Sequence, residues 1–336
     1  MRAFSGVSLA IAAVLVLGSL GTAGCTRLAE IQANRTFNAG NTAYNAQDYQ
    51  LAAELYEETV AKNPDLGYAY FFLGNSYDNM YRPARKGEPE NDQLLVKAEQ
   101  NYMMAADVLL AQEDDERALE YAKLTLDYLR ALYTDKAMEP GKAEEVVQRM
   151  IRLDPSEITY YFTLARIYED AAVYDEAEYI LQAARDARPT DPDVYITLAG
   201  FYNRMGDFDK TIEALEQRAE REPDNPEAFQ TIAPYYWDNA QQNPMLSNEE
   251  KMQNVERGLE AVEKALSLRP EYIDAIVYKG LLLRTQALLE TDPEVQQNLV
   301  KEAEGLSERA ESLRKRRASG DASAEPAEME AEPAPG

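Results

Sequence analysis

The side chains able to do chemistry are few in kind. The chain of 336 residues has no histidine and one cysteine, Cys25, beside 60 acidic and 34 basic side chains. Without imidazole there are no histidine-based triads or imidazole general bases, and most zinc and iron sites are ruled out. No Gly-rich phosphate loop of the P-loop or dinucleotide-binding kind occurs. Carboxylates are abundant, so composition still permits a two-carboxylate hydrolase. Their densest run, Glu113-Asp114-Asp115-Glu116, lacks the spacing and the glycine of a calcium loop and reads as a helix start or a solvated turn. Neither a metal nor any other cofactor is expected. A net charge of −26 repels phosphate, so nucleic acid is excluded as a partner while neutral or basic ones are favoured.

What remains is recognition chemistry. Asn34, Asn38, Asn41 and Asn45 fall at i, i+4, i+7 and i+11, which places four amides on one helix face, and Asn75 and Asn79 follow Asn41 and Asn45 by 34 residues. An amide both donates and accepts, so such a ladder can hold an extended peptide by its backbone. The plain alternative is that these are ordinary exposed or capping asparagines. Phe37, Tyr44, Tyr68, Phe71 and Phe162 are expected on the same side, either as apolar pockets or as packing between neighbouring units. Trp237, the single tryptophan, is expected at the edge of that face, as an anchor or as a cover for a nearby loop.

A repeat positions these residues. Pro155, Pro189 and Pro223 lie 34 residues apart, as do Tyr161, Tyr195 and Phe229; Leu164, Leu198 and Ile232; Ala165, Ala199 and Ala233; and Tyr168, Tyr202 and Tyr236. Within one period, Tyr195, Leu198, Ala199 and Tyr202 mark one helix face, Gly206-Asp207-Phe208-Asp209 interrupts it, and a second helix runs to Arg221. This pattern resembles the tetratricopeptide repeat. Gly40 and Gly74 extend it upstream, with Ala52, Tyr56 and Pro64, then Ala98, Tyr102 and Ala105, at second-helix places. Downstream, Ala233 to Gly280 spans one repeat with an insertion, whereas residues 113–142 fit loosely. The resemblance covers roughly residues 33–313 and implies an all-α, right-handed superhelical solenoid of about seven repeats. It further implies a concave groove that binds peptides or proteins. Basic residues that would clamp a peptide carboxylate are missing from the matching places of the first two repeats.

The N-terminus reads as an export signal. Arg2 precedes a short apolar stretch, residues 9–20, well below the ~20 residues of a spanning helix. Gly21-Thr22-Ala23-Gly24-Cys25 then resembles the lipobox of bacterial lipoproteins, in which the cysteine is lipidated and becomes the new N-terminus. The alternative is an ordinary signal peptide beside a chance cysteine. Thr26 after the cysteine resembles the sorting pattern that favours the outer membrane. The domain plan is thus a signal over 1–24, a tether over 25–32 and a solenoid over 33–317. Insertions are expected near 81–93 and 237–251, and the same device is expected over 284–294. In the final helix, Val295, Leu299, Ala303, Leu306, Ala310 and Leu313 form an apolar stripe that would close the stack. Arg314-Lys315-Arg316-Arg317 suits the negative end of its dipole. Residues 318–336, rich in Ala, Glu and Pro, cannot build a core and are expected to be disordered. Together these readings predict a non-catalytic scaffold of the bacterial cell envelope. It would be anchored by lipid at Cys25, on the periplasmic face of the outer membrane in preference to the inner one, and would bind other envelope proteins or peptides. The rival expectation is an envelope hydrolase with carboxylates in the inserted loops.

Overall fold

The computed structural model describes the backbone of residues 8–319 except Glu113, and side chains from Arg27 onward. The side chain of Cys25 and nearly all of the Ala/Glu/Pro tail lie outside the described residues. Within them every regular element is helical. In chain order the helices form six hairpins, with two further helices, one on either side of the boundary between two compact units. The first is α1 (Ser8–Asn45) with α2 (Tyr49–Lys62), and the second is α3 (Gly67–Met80) with α4 (Pro89–Leu110). Next come α5 (Glu116–Ala131) with α6 (Pro140–Leu153), and α7 (Ile158–Asp170) followed by α8 (Tyr174–Ala187). They are succeeded by α9 (Pro192–Met205) with α10 (Phe208–Arg221). In the fifth hairpin, α11 (Pro226–Gln230) and α12 (Ala233–Gln242) share α13 (Asn248–Leu268). The sixth is α14 (Ile273–Leu289) with α15 (Pro293–Ala318). The fold is an all-α array of helical hairpins, as the 34-residue period implies. It divides into two compact units, residues 1–173 and 174–336, the boundary falling in the turn between α7 and α8.

Local chemistry sets the helix starts. Asp48, Asp115 and Asp207 each accept a hydrogen bond from a backbone N–H of the first turn that follows, and Ser247 and Glu250 form a reciprocal capping box on α13. Asp115 belongs to the acidic run, which thereby starts a helix. Pro89, Pro140, Pro192, Pro226 and Pro293 all occupy the first helical turn, where no N–H is needed. Helix ends are less conventional. Gln47, Ala172 and Gly206 share one repeat position and all have positive φ (61°, 58° and 75°), yet only one is glycine.

Three stretches differ from expectation. Residues 81–93 and 237–251 were expected as projecting loops. Instead a short 3-10 turn, Pro83–Arg85, leads into a helix beginning at Pro89, and only residues 243–247 separate α12 from α13. The additional residues mostly lengthen the second helices: α4 has 22 residues and α13 has 21, against 14 in α2, α6, α8 and α10. Residues 284–294 are likewise helical up to Leu289. The loosely fitting stretch 113–142 holds a π-helical turn, Leu132–Ala137, closed by Met138 in the left-handed region (φ 62°). The expected tether, 25–32, is helical and continuous with the first repeat, whose first buried side chain is Ala33. No helix among the described residues is long and apolar enough to cross a membrane.

The core of the first unit is built from small residues facing large rings. Ala52, Tyr56, Ala98, Tyr102 and Ala105 are fully buried at their repeat positions. Gly40 and Gly74 permit this, since a Cβ at Gly40 would lie 2.6 Å from Tyr56 Cε1 and one at Gly74 would lie 2.9 Å from Tyr102 Cδ1. In the second unit Ala233, Val255, Val262 and Leu282 form one cluster, and Ile276, Ala310 and Leu313 close another under α15. Val295, at the start of the predicted stripe, is exposed. The glycines give a test with opposite signs. Gly40→Ala should cost about 1–3 kcal/mol through overpacking. Gly141→Ala, where nothing stands within 4 Å, should stabilise helix α6 by roughly 0.5–1 kcal/mol. Thermal unfolding followed by circular dichroism reads both.

Candidate binding face and the clasps that hold it

Helices α1 and α3 carry most of the predicted site residues, and the structure sorts them by depth. Asn34, Asn38, Asn45 and Asn79 are exposed and Asn41 is half-buried, but Asn75 is only 2% exposed. The expected ladder of six open amides is therefore corrected. The Asn41 Oδ1 accepts a hydrogen bond from the Tyr56 hydroxyl at 2.7 Å. The Asn75 Oδ1 accepts from the Tyr44 hydroxyl at 2.5 Å and from the Asn79 amide at 2.6 Å. Close seating of Tyr56 on Gly40 brings its hydroxyl to Asn41, while Tyr44 of α1 and the Asn79 amide both reach Asn75, so three of the six serve the fold. Tyr102, the counterpart of Tyr56, points its buried hydroxyl toward Asn75 without a well-formed hydrogen bond. Burial pushes the Tyr44 hydroxyl up to about 12, with a smaller push from Tyr49, so it remains a donor throughout the ordinary pH range.

The aromatic candidates make a continuous row. Phe37 and Tyr44 of α1 pack on Phe72 of α3 at 6.1 and 5.4 Å between centroids. Phe71 and Tyr68 meet Tyr121 of α5 edge-on at 5.6 and 4.9 Å, and Phe71 also meets Tyr128. Phe71 is buried, whereas Phe37, Tyr44 and Tyr68 are partly exposed. These rings join successive first helices and leave edges open beside the exposed amides. Arg117 lies over both Tyr68 and Tyr121, at 5.5 and 5.7 Å. Phe162, on α7, is partly buried and has no ring contact with this row. Trp237 is in the second unit, packed edge-on against Tyr278 with its indole N–H buried and unpaired, so it covers the α12–α14 core.

A second recurring arrangement escaped the periodicity. At the end of each of several first helices a tyrosine hydroxyl donates to a glutamate on the preceding second helix, and a cation from the following helix joins them. Tyr77 donates to Glu57, with Lys97 3.2 Å from the hydroxyl and 4.6 Å above the ring. Tyr133 donates to Glu99 at 2.8 Å, with Lys142 2.9 Å from the same carboxylate. Tyr168 donates to Glu144 at 2.8 Å. Tyr202 donates to Glu178 at 3.0 Å, with Lys210 2.8 Å from that carboxylate. Tyr236 faces Glu216 at 3.4 Å, with Arg257 beside its hydroxyl. Burial first, and then the glutamate, raises the Tyr77 and Tyr133 hydroxyls. The Lys210 ammonium, ahead of the Tyr202 hydroxyl, holds Glu178 below its ordinary value. The partners are 20 to 34 residues apart on different helices. The recurring tyrosine was the only part of the clasp visible in the sequence.

No group of His, Cys, Asp and Glu among the described residues is arranged to hold a metal ion.

Two outcomes follow from this geometry. Asn75→Ala should destabilise the chain by about 1–3 kcal/mol, because it leaves buried polar groups unpaired. Asn38→Ala, on the open face, should stay within about 0.5 kcal/mol. Urea unfolding separates the two. Glu178 has a folded value below its unfolded one, so its contribution is complete above 4.5 and fades as pH falls through the lower folded value. The stability gap between wild type and Glu178→Gln should therefore be widest near neutral pH and close in acid, as seen in urea midpoints collected across that range.

Comparison with known proteins bears on the repeats. A family model described as tetratricopeptide repeat matches residues 170–233. No curated protein matches the chain. Solved structures with similar arrangements include the C-terminal part of a TPR repeat-containing protein from Cytophaga hutchinsonii. It has 14% identity and a TM-score of 0.47, covering 82% of this chain and 98% of that one. MamA is 17% identical with a TM-score of 0.41, covering 59% and 94%. YrrB, described as a TPR protein with an unusual peptide-binding site, is 17% identical with a TM-score of 0.36, covering 58% and 89%. At these identities and TM-scores nothing about function is drawn from them. Residues 170–233 thus carry tetratricopeptide repeats within an all-α array of helical hairpins.

Proposed function

We propose that the whole chain is a tetratricopeptide-repeat scaffold without catalytic activity, anchored by lipid at Cys25 in a bacterial cell envelope, where it binds envelope proteins or their peptides. The observation that carries the binding reading is the face of α1, α3 and α5, where exposed Asn34, Asn38, Asn45 and Asn79 flank the half-exposed edges of Phe37, Tyr44 and Tyr68. Amides that pair with backbone groups, set beside rings that cover apolar side chains, suit an extended peptide segment. The envelope reading, outer membrane ahead of inner, rests on the lipobox-like run before Cys25. Against the hydrolase alternative stands the scarcity of inserted loop, most of the additional residues being helical.

Two experiments test the parts separately. Cys25→Ala should move the protein from the membrane to the soluble fraction of cells, and unchanged membrane association would refute the anchor. Replacing Asn34, Asn38 and Asn45 together with Ala, with Asn79 kept because its amide holds Asn75, should leave the helical signal and unfolding midpoint nearly unchanged, and abolish in-cell crosslinks to partners that wild type captures. Identical crosslinks from both forms would remove the face from the mechanism.

A further inference from the structure

The second unit carries a different surface. The left-handed turn after α9 and the C-terminal end of α12 enclose an open hollow of about 570 Å³, lined by Met205, Gly206, Asp207, Phe208, Asp209, Asn239, Asn243 and Leu246. Met205, Phe208 and Leu246 make the apolar part of a lining that is otherwise polar. Phe208 packs edge-on against Tyr236 at 5.7 Å, and Met205 is 38% exposed. The far wall is held by amides, since Asn239 donates to Asn254 at 3.3 Å, Asn243 donates to Asn239 at 3.0 Å, and the Met245 backbone N–H donates to Asn243 at 3.1 Å. This chain of bonds pins residues 243–247, the segment that interrupts the fifth hairpin. It fixes Leu246 on the hollow and Met245, 87% exposed, beside it. Met205, Phe208 and Leu246 together offer an apolar patch that something could cover.

The charge on the rim says what that is. Asp207 and Asp209 line the hollow and no cation does. Lys210, next to Asp209 in the chain, is engaged by Glu178 at 2.8 Å, lies over the Tyr202 ring and reaches one oxygen of Asp207 at 3.9 Å. We propose that this hollow is a second docking site, distinct from the α1–α3–α5 face, for a short cationic segment of a partner protein that alternates Lys or Arg with apolar side chains. The apolar side chains cover Met205, Phe208 and Leu246. The cations meet Asp209 and the open side of Asp207, and Phe208 offers a ring to one of them. A chain of net charge −26 draws such segments generally. The apolar patch between two carboxylates makes this place selective among them.

The test uses the full chain and two fluorescein-labelled short peptides of Lys, Leu and Phe, one as stated and one with Glu for every Lys, followed by fluorescence anisotropy. Wild type should bind the cationic peptide and ignore its acidic twin. Asp209→Lys and, separately, Met205→Gln should each weaken binding at least tenfold. Asp186→Lys makes the same charge change on the C-terminal turn of α8, toward the opposite end of α9, and should weaken it less than twofold. The three-alanine amide variant should bind as wild type does. Equal affinity for both peptides, equal losses from Asp209→Lys and Asp186→Lys, or no loss from Met205→Gln would each overturn the proposal. The second of these would reduce the attraction to overall charge, and the third would deny the apolar patch any part. Met205→Gln keeps the helix-capping Asp207 intact, so it decides the matter even if the charge reversal at the start of α10 impairs folding.

Discussion

Everything in the first unit rests on how closely two helices of a hairpin can approach. A pair of helices has no interior of its own, and it becomes a packing layer only when one helix lets the side chains of the other reach its backbone. Gly40 and Gly74 do this by accepting the rings of Tyr56 and Tyr102 directly on their Cα atoms. The Tyr56 hydroxyl in turn engages Asn41, so the contact that closes the first hairpin also decides which of its amides serves the fold. The second unit uses the same solution, with Gly258 beneath Leu282 and Tyr236. Binding chemistry is then confined to positions the rings leave uncovered.

Much of this was legible in the residue pattern, and the reasons for what was not are physical. The 34-residue step placed the helices, their small positions and their buried tyrosines, because packing between units repeats with the units. Insertions were harder. Proline and glycine mark where one helix stops, but Pro89 and Pro293 are also good first residues of the next, so residues read as loops became the opening turns of long helices. The amides illustrate a different limit. Helical spacing puts Asn34, Asn38, Asn41 and Asn45 on one face, yet it does not reveal which neighbouring helix approaches that face, and Tyr56 covers Asn41 from a helix 15 residues away. The clasps were missed for the same reason, since their three members come from three helices at uneven separations.

The two surfaces differ in how they are made. The α1–α3–α5 face is a by-product of stacking: its rings join successive first helices and its amides are whatever the stack leaves outside. The hollow in the second unit departs from the repeat, because residues 243–247 replace the tight turn found at Gly206 and are held by asparagines rather than by burial. Departures from a repeating pattern are where such an array can acquire something its other units lack.

The clasps also give the array a direction. Each buried tyrosine takes its glutamate from the helix before it, and the glutamates themselves lie toward solvent. Losing hairpins from the C-terminal end would only leave a glutamate facing water, where a carboxylate is comfortable. Losing them from the N-terminal end would strip the next tyrosine of its acceptor and leave a sheltered hydroxyl without one. As far as the clasps alone decide it, the two ends are therefore unequal as places to shorten such a chain, although α15 still has to cover Ile276 where the stack ends.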